Sequence, residues 1–364
     1  MKFSLKWLFI FAPVAAWLHY SGGNPALVFT FSALAIIPSA GLMGEATEHL
    51  SSKVGPGIGG LLNATFGNMA ELIIASMALH KGMVEVVKAS LTGSIIGNLL
   101  LVMGASILCG GARYKTQRFN VQAARSMMTT LTLGSVALII PTIFHFTAEK
   151  TQQWTPLLER RLSLFIALIL FGSYLSLLWF TLKTHTRLFE GDAPGDVMDA
   201  DAQAHGHAPW TMARCVWTLV GATAVVAVLS EFLVGSVEAA RHAFGLTEVF
   251  VGVVVVAIIG NAAEHSTAVL MALKNKMDLT ASIAIGSSLQ IAMFVCPVLL
   301  FLSYAFGRPM DLEFSLPEVA AVVASVHVTA QVCNDGESNW FEGLQMLGVY
   351  LVIGVLFFFL PETH

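Results

Sequence analysis

The sequence predicts an all-α membrane protein of about eleven transmembrane helices, with one extra N-terminal helix followed by two inverted-topology repeats of five helices. Composition is the first observation behind this prediction: 56% of the 364 residues are hydrophobic and 12% are charged, about half the charged share of soluble domains. Apolar stretches long enough to cross roughly 30 Å of hydrocarbon recur along the whole chain, and helices satisfy their own backbone groups in lipid.

The predicted helices lie between charged or Pro- and Gly-rich breaks. They are expected near residues 5–20, 25–47, 57–80, 86–110, 121–146, 160–184, 211–239, 246–273, 279–305, 315–333 and 340–361. The widest break holds the acidic residues Glu190, Asp192, Asp196, Asp199 and Asp201 and predicts a solvated linker. We therefore divide the chain into an N-terminal helix (1–22), a first repeat (23–184, helices 2–6), an acidic cytoplasmic linker (185–209) and a second repeat (210–364, helices 7–11).

A repeated motif inside apolar segments indicates an internal duplication. The five residues that end in Glu71 read Gly-Asn-Met-Ala-Glu, and those that end in Glu264, 193 residues later, read Gly-Asn-Ala-Ala-Glu. The same offset carries Glu45, His49, Lys81, Gly93 and Ser94 onto Glu238, His242, Lys274, Gly286 and Ser287. Because each copy has an odd number of helices, the copies run in opposite directions. Secondary transporters with this plan bind their substrate near mid-membrane at the repeat interface.

Glu71 and Glu264 are the predicted cation- and proton-binding residues and the predicted metal ligands. A carboxylate in hydrocarbon is costly unless it is paired. With a dication between them the two carboxylates are stable when ionised, and without one protonation is the low-cost state. Cations and protons would then compete for the same oxygens, which is the minimum machinery of an antiporter.

The other residues of the motif are predicted to complete the oxygen site. Asn68 and Asn261 can hold a carboxylate or offer an amide oxygen. Gly67 and Gly260 are expected to share a helical face with the acid four residues later and to let another helix approach. Carboxylate, amide and carbonyl oxygens suit Ca²⁺ or Mn²⁺.

Further polar residues in apolar runs are predicted to support the site or its access path. The supporting set is Ser94, Ser287, Asn98, Gln290 and His265. Buried amides need partners, whereas the small residues could be packing points, and His265 could modulate proton affinity or be a satisfied core histidine. Glu45, Glu48 and Glu238 could line an access path or be solvated helix ends.

The loops and the remaining composition bear on orientation and partners. The loops on the same side of the membrane as the N-terminus hold more Lys and Arg than the loops on the opposite side. This bias predicts a cytoplasmic N-terminus and an external C-terminus. No basic tract indicates nucleic acid, and no cofactor is expected besides the transported ions. The lipid bilayer is the expected environment, with a possible homo-oligomer. An integral-membrane metal-dependent hydrolase is the alternative from another class, although the sequence has no His/Glu cluster at metal-ligand spacing.

These motifs resemble those of the cation/proton exchanger family, the Ca²⁺/H⁺ antiporter type of the calcium/cation antiporter superfamily. The resemblance covers about residues 25–361 and rests on the paired Gly-Asn-x-x-Glu motifs and the flanking runs 41–48 and 271–276. It implies export of Ca²⁺ from the cytosol by proton exchange through alternating access, with Glu71 and Glu264 as ligands and Asn68 and Asn261 as their positioners.

The residues between Asn and Glu bear on the coupling ion. The family's sodium-coupled relatives carry Ser/Thr-rich motifs there, whereas this chain has Met-Ala and Ala-Ala, which favours proton coupling. Exchange of Mn²⁺, Na⁺ or K⁺ through the same carboxylates stays open. The chain lacks the long N-terminal extension of plant vacuolar members, so a microbial cell membrane is the expected location.

Overall fold

The computed structural model describes residues 5–54, 56–186 and 210–361, and these residues are almost wholly helical. We number the apolar helices as α1 Phe11–Tyr20 (after the 3-10 turn Leu5–Ile10), α2 Pro25–Val54, α3 Pro56–Phe66 with Met69–His80, α4 Val84–Arg113, α5 Val121–Lys150, α6 Pro156–Thr184, α7 Met212–Phe244, α8 Glu248–Leu273, α9 Met277–Ala305, α10 Leu316–Val332 and α11 Trp340–Phe359. Within the described ranges eight of these are long and apolar enough to span a bilayer, and α1, the second part of α3 and α10 are shorter apolar helices.

The predicted fold class is therefore confirmed as a multi-pass membrane protein with two inverted repeats. The division of the chain into segments at residues 22, 184 and 209 stays a prediction. The acidic residues of the linker, from Glu190 to Asp201, lie outside the described residues.

Helices α2 and α7 extend beyond their predicted ends at residues 47 and 239. They end at Val54 and Phe244, so Glu45 and Glu238 do not lie at helix ends. The apolar face explains the extra turns, because Leu50 in α2 and Ala240 in α7 are still buried and continue the helical packing stripe.

The two copies of the Gly-Asn-x-x-Glu motif differ in backbone structure. In the second copy α8 is continuous from Ala257 to Leu273, as predicted. In the first copy α3 is interrupted at Gly67 and Asn68, and a new helix begins at Met69. The prediction that Gly67 and Glu71 share one face of a continuous helix is therefore wrong. Glycine has low helix propensity, and the Asn68 side chain bonds to α9 instead.

Wide π-helical turns interrupt the helices that pass the two motifs. Those in α4 (Gly97–Val102) and α9 (Ile291–Val295) occupy corresponding positions under the 193-residue offset. A further one, Val251–Val256, lies in α8 just before its motif. Such turns are frequent at functional sites, and here they flank the predicted cation site.

One end of the bundle is closed by a close packing of α8 against α4. A Cβ added to Gly93 would lie 2.1 Å from the carbonyl oxygen of Val253, and one added to Gly252 would lie 2.5 Å from the Cβ of Ala89. Because both glycines lack side chains, the backbones come into direct contact. This contact lies towards the loops at residues 81–83 and 245–247.

The corresponding contact in the other repeat is not formed among the described residues. The offset relates Gly252 to Gly59 and Gly93 to Gly286, yet the first part of α3 packs against α2 and α6 rather than α9. Gly59 faces the backbone of Ser51 and Gly60 faces Leu182, whereas a Cβ on Gly286 would meet Met127 Cε at 3.3 Å. The inverted repeats thus have different conformations, closed at one end and separated at the other.

Loops at the two ends are fixed by short polar contacts. At the separated end, strands β1 (Gln117–Arg118) and β2 (Glu337–Ser338) pair antiparallel. At the closed end, the buried Lys88 Nζ lies 2.7 Å from Asp311 and 3.8 Å from Glu313. Burial raises the pKa of Glu313, and Lys88 opposes this shift. Lys88 therefore attaches the α9–α10 loop to α4.

Lys88→Gln is expected to lower the thermal stability of the purified protein. Removing the ammonium leaves Asp311 and Glu313 uncompensated, and a fully buried broken pair costs roughly 3–5 kcal/mol. Because Asp311 is 28% exposed, the loss should fall below that range. A melting curve in detergent measures it. Lys81→Gln is the matched control, since Lys81 is exposed and donates to a backbone carbonyl, that of Glu231, at 3.2 Å; equal melting temperatures for both variants would contradict the expectation.

Candidate functional site

The two motif glutamates lie within electrostatic range of each other, on the second part of α3 and on α8. Glu71 packs on the backbone of Gly260, where a Cβ would lie 3.1 Å from its Cγ. Among the described residues, Glu71 Oε1 and Glu264 Oε2 are buried without a hydrogen-bond partner. Buried polar atoms are rarely left unpaired, so the two oxygens mark a place where a proton or a cation is needed.

On the two motif helices, the residues that directly adjoin the acid pair towards the separated end are partly exposed. The α8 residues from 262 to 267 are partly exposed, whereas Ile259, Gly260 and Asn261 before them are buried. In α3 the residues from 65 to 67 are likewise partly exposed, and Ile74 and Ala75 beyond the acid are buried. We call this partly exposed region, which lies towards the separated end and ends at the level of the glutamates, the crevice.

A small cavity lies on the closed side of Glu71. Its volume is about 10 Å³ and its wall includes Glu71, Ser90, Ser94, Gly260 and Ile291, space for roughly one water molecule. The prediction from sequence missed Ser90, although it is one helical turn before Ser94 and is the same kind of small polar residue in an apolar run.

Amide and hydroxyl groups connect the two motifs across the repeat interface. Asn261 Nδ2 donates to Ser94 Oγ at 3.0 Å, and Asn98 Nδ2 donates to Ser287 Oγ at 3.1 Å. The Ser287 hydroxyl donates to Asn68 Oδ1 at 2.9 Å and also interacts with the Glu264 carboxylate. These bonds hold the carboxylate-bearing helices to α4 and α9.

The remaining supporting residues extend this network. Asn68 Nδ2 donates to Gln290 Oε1, and His265 Nε2 is 3.3 Å from Asn98 Oδ1. A Cβ on Gly67 would lie 3.6 Å from Gln290 Oε1. All supporting residues named from the sequence therefore lie together around the acid pair; their roles in transport stay predictions.

The access-path glutamates are not equivalent in this structure. Glu48 on α2 is within electrostatic range of Glu264 and Glu45, next to the crevice. Glu238 lies apart from the acid pair, exposed, with Arg241 Nη2 at 2.7 Å and His242 Nε2 at 3.1 Å. This structure therefore gives Glu238 an exposed ion pair rather than a contact with the site, and its place on an access path stays a prediction.

The oxygen ligands around the acid pair suit a cation that is bound and then released, rather than a permanently held metal. No group of three or more His, Cys, Asp and Glu side chains able to hold a metal exists in the described ranges. Two carboxylates surrounded by neutral amides and hydroxyls can bind a hard cation and release it again when protons replace it.

Gly260→Ala is expected to weaken apparent Ca²⁺ affinity roughly tenfold, because a small displacement of a reacting group can cost up to about a hundredfold. The added methyl would press on Glu71 Cγ and Cδ at 3.1 and 3.5 Å. The half-saturating Ca²⁺ concentration of transport measures the effect. Gly172→Ala is the control, since the described residues place nothing within 4 Å of its Cβ; an unchanged value in Gly260→Ala would show that Glu71 adapts freely.

The fold and the site together define a secondary transporter with inverted repeats. The sodium/calcium exchanger protein family model matches residues 24–183 and 215–359. A Ca²⁺/H⁺ antiporter of Synechocystis sp. is 46% identical over 97% of this chain and 96% of its own length, and the Ca²⁺/H⁺ antiporter ChaA of Bacillus subtilis is 44% identical over 92% and 93%.

Solved structures agree with this assignment. This chain shares 40% sequence identity with native YfkE, whose solved structure superimposes on it with a TM-score of 0.82. The match covers 97% of this chain and 100% of that one. The H⁺/Ca²⁺ exchanger CAX superimposes with a TM-score of 0.72 over 98% of this chain and 92% of its own at 14% identity, which shows the shared fold. The chain belongs to the sodium/calcium exchanger family and is a transporter rather than an enzyme.

Proposed function

We propose that this chain is a secondary active Ca²⁺/H⁺ antiporter in which Glu71 and Glu264 form one site for Ca²⁺ and protons. The observation that carries the proposal is the pair of unpartnered carboxylate oxygens, Glu71 Oε1 and Glu264 Oε2, buried where the two repeats meet. The Ca²⁺/H⁺ antiporters of Synechocystis and Bacillus subtilis, which are similar to this protein over almost its whole length, support exchange of the same two ions.

The transport cycle follows from the position of the acids at the inner end of the crevice. Ca²⁺ enters past Glu48, displaces the protons and binds between the two carboxylates, with Asn68 and Asn261 holding the surrounding oxygens. The repeats then exchange conformations, so that the separated end closes and the end sealed by Gly93 and Gly252 opens. Ca²⁺ leaves on that side when protons replace it.

Orientation and location complete the proposal. The separated end carries the loops richer in Lys and Arg, so it faces the cytoplasm and the N-terminus is cytoplasmic. The crevice then receives Ca²⁺ from the cytosol and the cycle exports it. A microbial cell membrane is the proposed location, and assembly into a homo-oligomer is compatible with it.

Ion flux in proteoliposomes tests the function. With a pH gradient imposed and Na⁺ absent, Ca²⁺ should accumulate while a pH dye reports the opposite proton flux, and a protonophore should stop both. Uptake that requires a Na⁺ gradient would overturn proton coupling. Competition by Mn²⁺, Na⁺ or K⁺ in the same vesicles identifies the preferred ion.

A further inference from the structure

The donor and acceptor order of the polar network is fixed by one backbone carbonyl. Asn261 Nδ2 lies 3.0 Å from the carbonyl oxygen of Ala257, which can only accept a hydrogen bond. The amide of Asn261 therefore has its nitrogen towards Ala257 and its oxygen towards Asn98, 3.5 Å from Asn98 Nδ2. Turning the Asn98 amide over would place two oxygens against each other.

The fixed amide of Asn98 determines the groups on both sides of it. Its Oδ1 faces His265 Nε2 at 3.3 Å, so the imidazole must carry a hydrogen on Nε2 to bond there. Its Nδ2 donates to Ser287 Oγ. Because Ser287 accepts from Asn98, its own hydrogen is free for Asn68 Oδ1 or for the Glu264 carboxylate.

The order continues to the far side of the site. With Asn68 Oδ1 accepting from Ser287, Asn68 Nδ2 donates to Gln290 Oε1. A directed chain thus runs from His265 through Asn98, Ser287 and Asn68 to Gln290, and it crosses from one repeat to the other. Asn98 and Asn68 are each 1% exposed, so solvent water has little access to these two amides to replace a broken bond.

The hydrogen-bond chain has one donor-to-acceptor direction because the two repeats differ at two positions. The 193-residue offset relates His265 to Leu72 and Asn98 to Ile291. The second position of each pair is apolar, so the polar pair occurs once and has no symmetric competitor.

We infer that His265 is a positioning residue: it donates from Nε2 to Asn98 Oδ1 and, together with Asn261, holds the Asn98 amide in the orientation that leaves the Ser287 hydroxyl as a hydrogen-bond donor to Asn68 or to Glu264. The inference rests on the proposed function only for its effect on Ca²⁺. The inference itself concerns the donor-to-acceptor direction of the hydrogen-bond chain. In that chain His265 neither binds the cation nor transfers a proton.

The expected kinetic result separates positioning from other roles. His265→Leu leaves Asn98 Oδ1 without its donor and should raise the half-saturating Ca²⁺ concentration about tenfold, the size of one unsatisfied buried acceptor, with little change in maximal rate. His265→Gln supplies an amide donor and should restore the wild-type value. Loss of maximal rate in His265→Gln, with unchanged half-saturation, would overturn the inference in favour of proton transfer by the imidazole.

A spectroscopic measurement decides the inference without any transport. Nitrogen-15 spectra of the histidine-labelled protein, with His265→Gln as the difference control for assignment, report which ring nitrogen carries hydrogen. We expect hydrogen on Nε2 of His265. A bare Nε2 would overturn the inference even in an active antiporter, and a hydrogen on Nε2 would support it even if Ca²⁺ flux were absent and the proposed function wrong.

Discussion

Glu71→Gln and Glu264→Gln are each expected to reduce Ca²⁺-dependent proton flux to background while the protein still inserts and folds. Glutamine keeps the shape of the side chain but can neither balance a dication nor release a proton. The orphan oxygens Glu71 Oε1 and Glu264 Oε2 would lose the charge that attracts the ion. Each variant should also lose the competition between Ca²⁺ and protons, because competition needs both carboxylates.

The measurement is paired Ca²⁺ and pH-dye flux in proteoliposomes at matched protein density. Glu149→Gln is the control, since Glu149 is exposed near the end of α5 and should transport normally. Size-exclusion profiles confirm that each variant is folded. Wild-type exchange by either Glu71→Gln or Glu264→Gln would remove that residue from the site and with it the shared-site mechanism.

The sequence was sufficient to predict which residues lie together around Glu71 and Glu264, because the duplication is visible in it. Glu71 and Glu264 stand in matching motifs, and a 193-residue offset aligns their neighbours without gaps. A carboxylate in an apolar segment predicts a functional site, because leaving it unpaired in the membrane is costly. The helices were predictable because a membrane-spanning helix requires a long apolar segment, and such segments are visible in the sequence.

Features that depend on contacts across the repeats were not predictable from local sequence. The break in α3 depends on Asn68 bonding to Gln290, 222 residues away. The extension of α2 past Glu45 depends on a buried face that its helical neighbours create. Glu238 lies near the end of α7, towards the loop 245–247 at the closed end, and pairs with Arg241, whereas its sequence counterpart Glu45 lies close to Glu48 and the crevice.

Gly286→Leu is expected to stop transport while leaving this conformation and its Ca²⁺ binding intact. In the present structure the added Cβ meets a flexible methionine end, Met127 Cε at 3.3 Å, at the separated end of the bundle. When the repeats exchange conformations, Gly286 takes the position that Gly93 has now, and residue 60 takes that of Val253. A side chain there would strike the backbone of α3, as a Cβ on Gly93 would strike the Val253 carbonyl at 2.1 Å.

Gly93→Leu should have the opposite effect on the same equilibrium. It would separate α4 from α8 and destabilise the conformation described here, so the crevice at the acid pair should lose its accessibility from the separated end. Both variants should therefore be transport-deficient, but Gly286→Leu should retain equilibrium Ca²⁺ binding from the separated end and Gly93→Leu should not.

Radioactive Ca²⁺ binding to vesicles that expose the separated end on their outer surface, measured beside flux, distinguishes the two variants. Gly172→Leu is the control, because it lies exposed on α6 with no described atom within 4 Å of its Cβ. Normal flux by Gly286→Leu would mean that α3 never approaches α9 as α8 approaches α4, and that the repeats do not exchange conformations symmetrically. Arrested flux with intact binding would instead identify Gly286 as the surface on which the separated end closes, since the inverted repeats offer the same glycine contact once in each state.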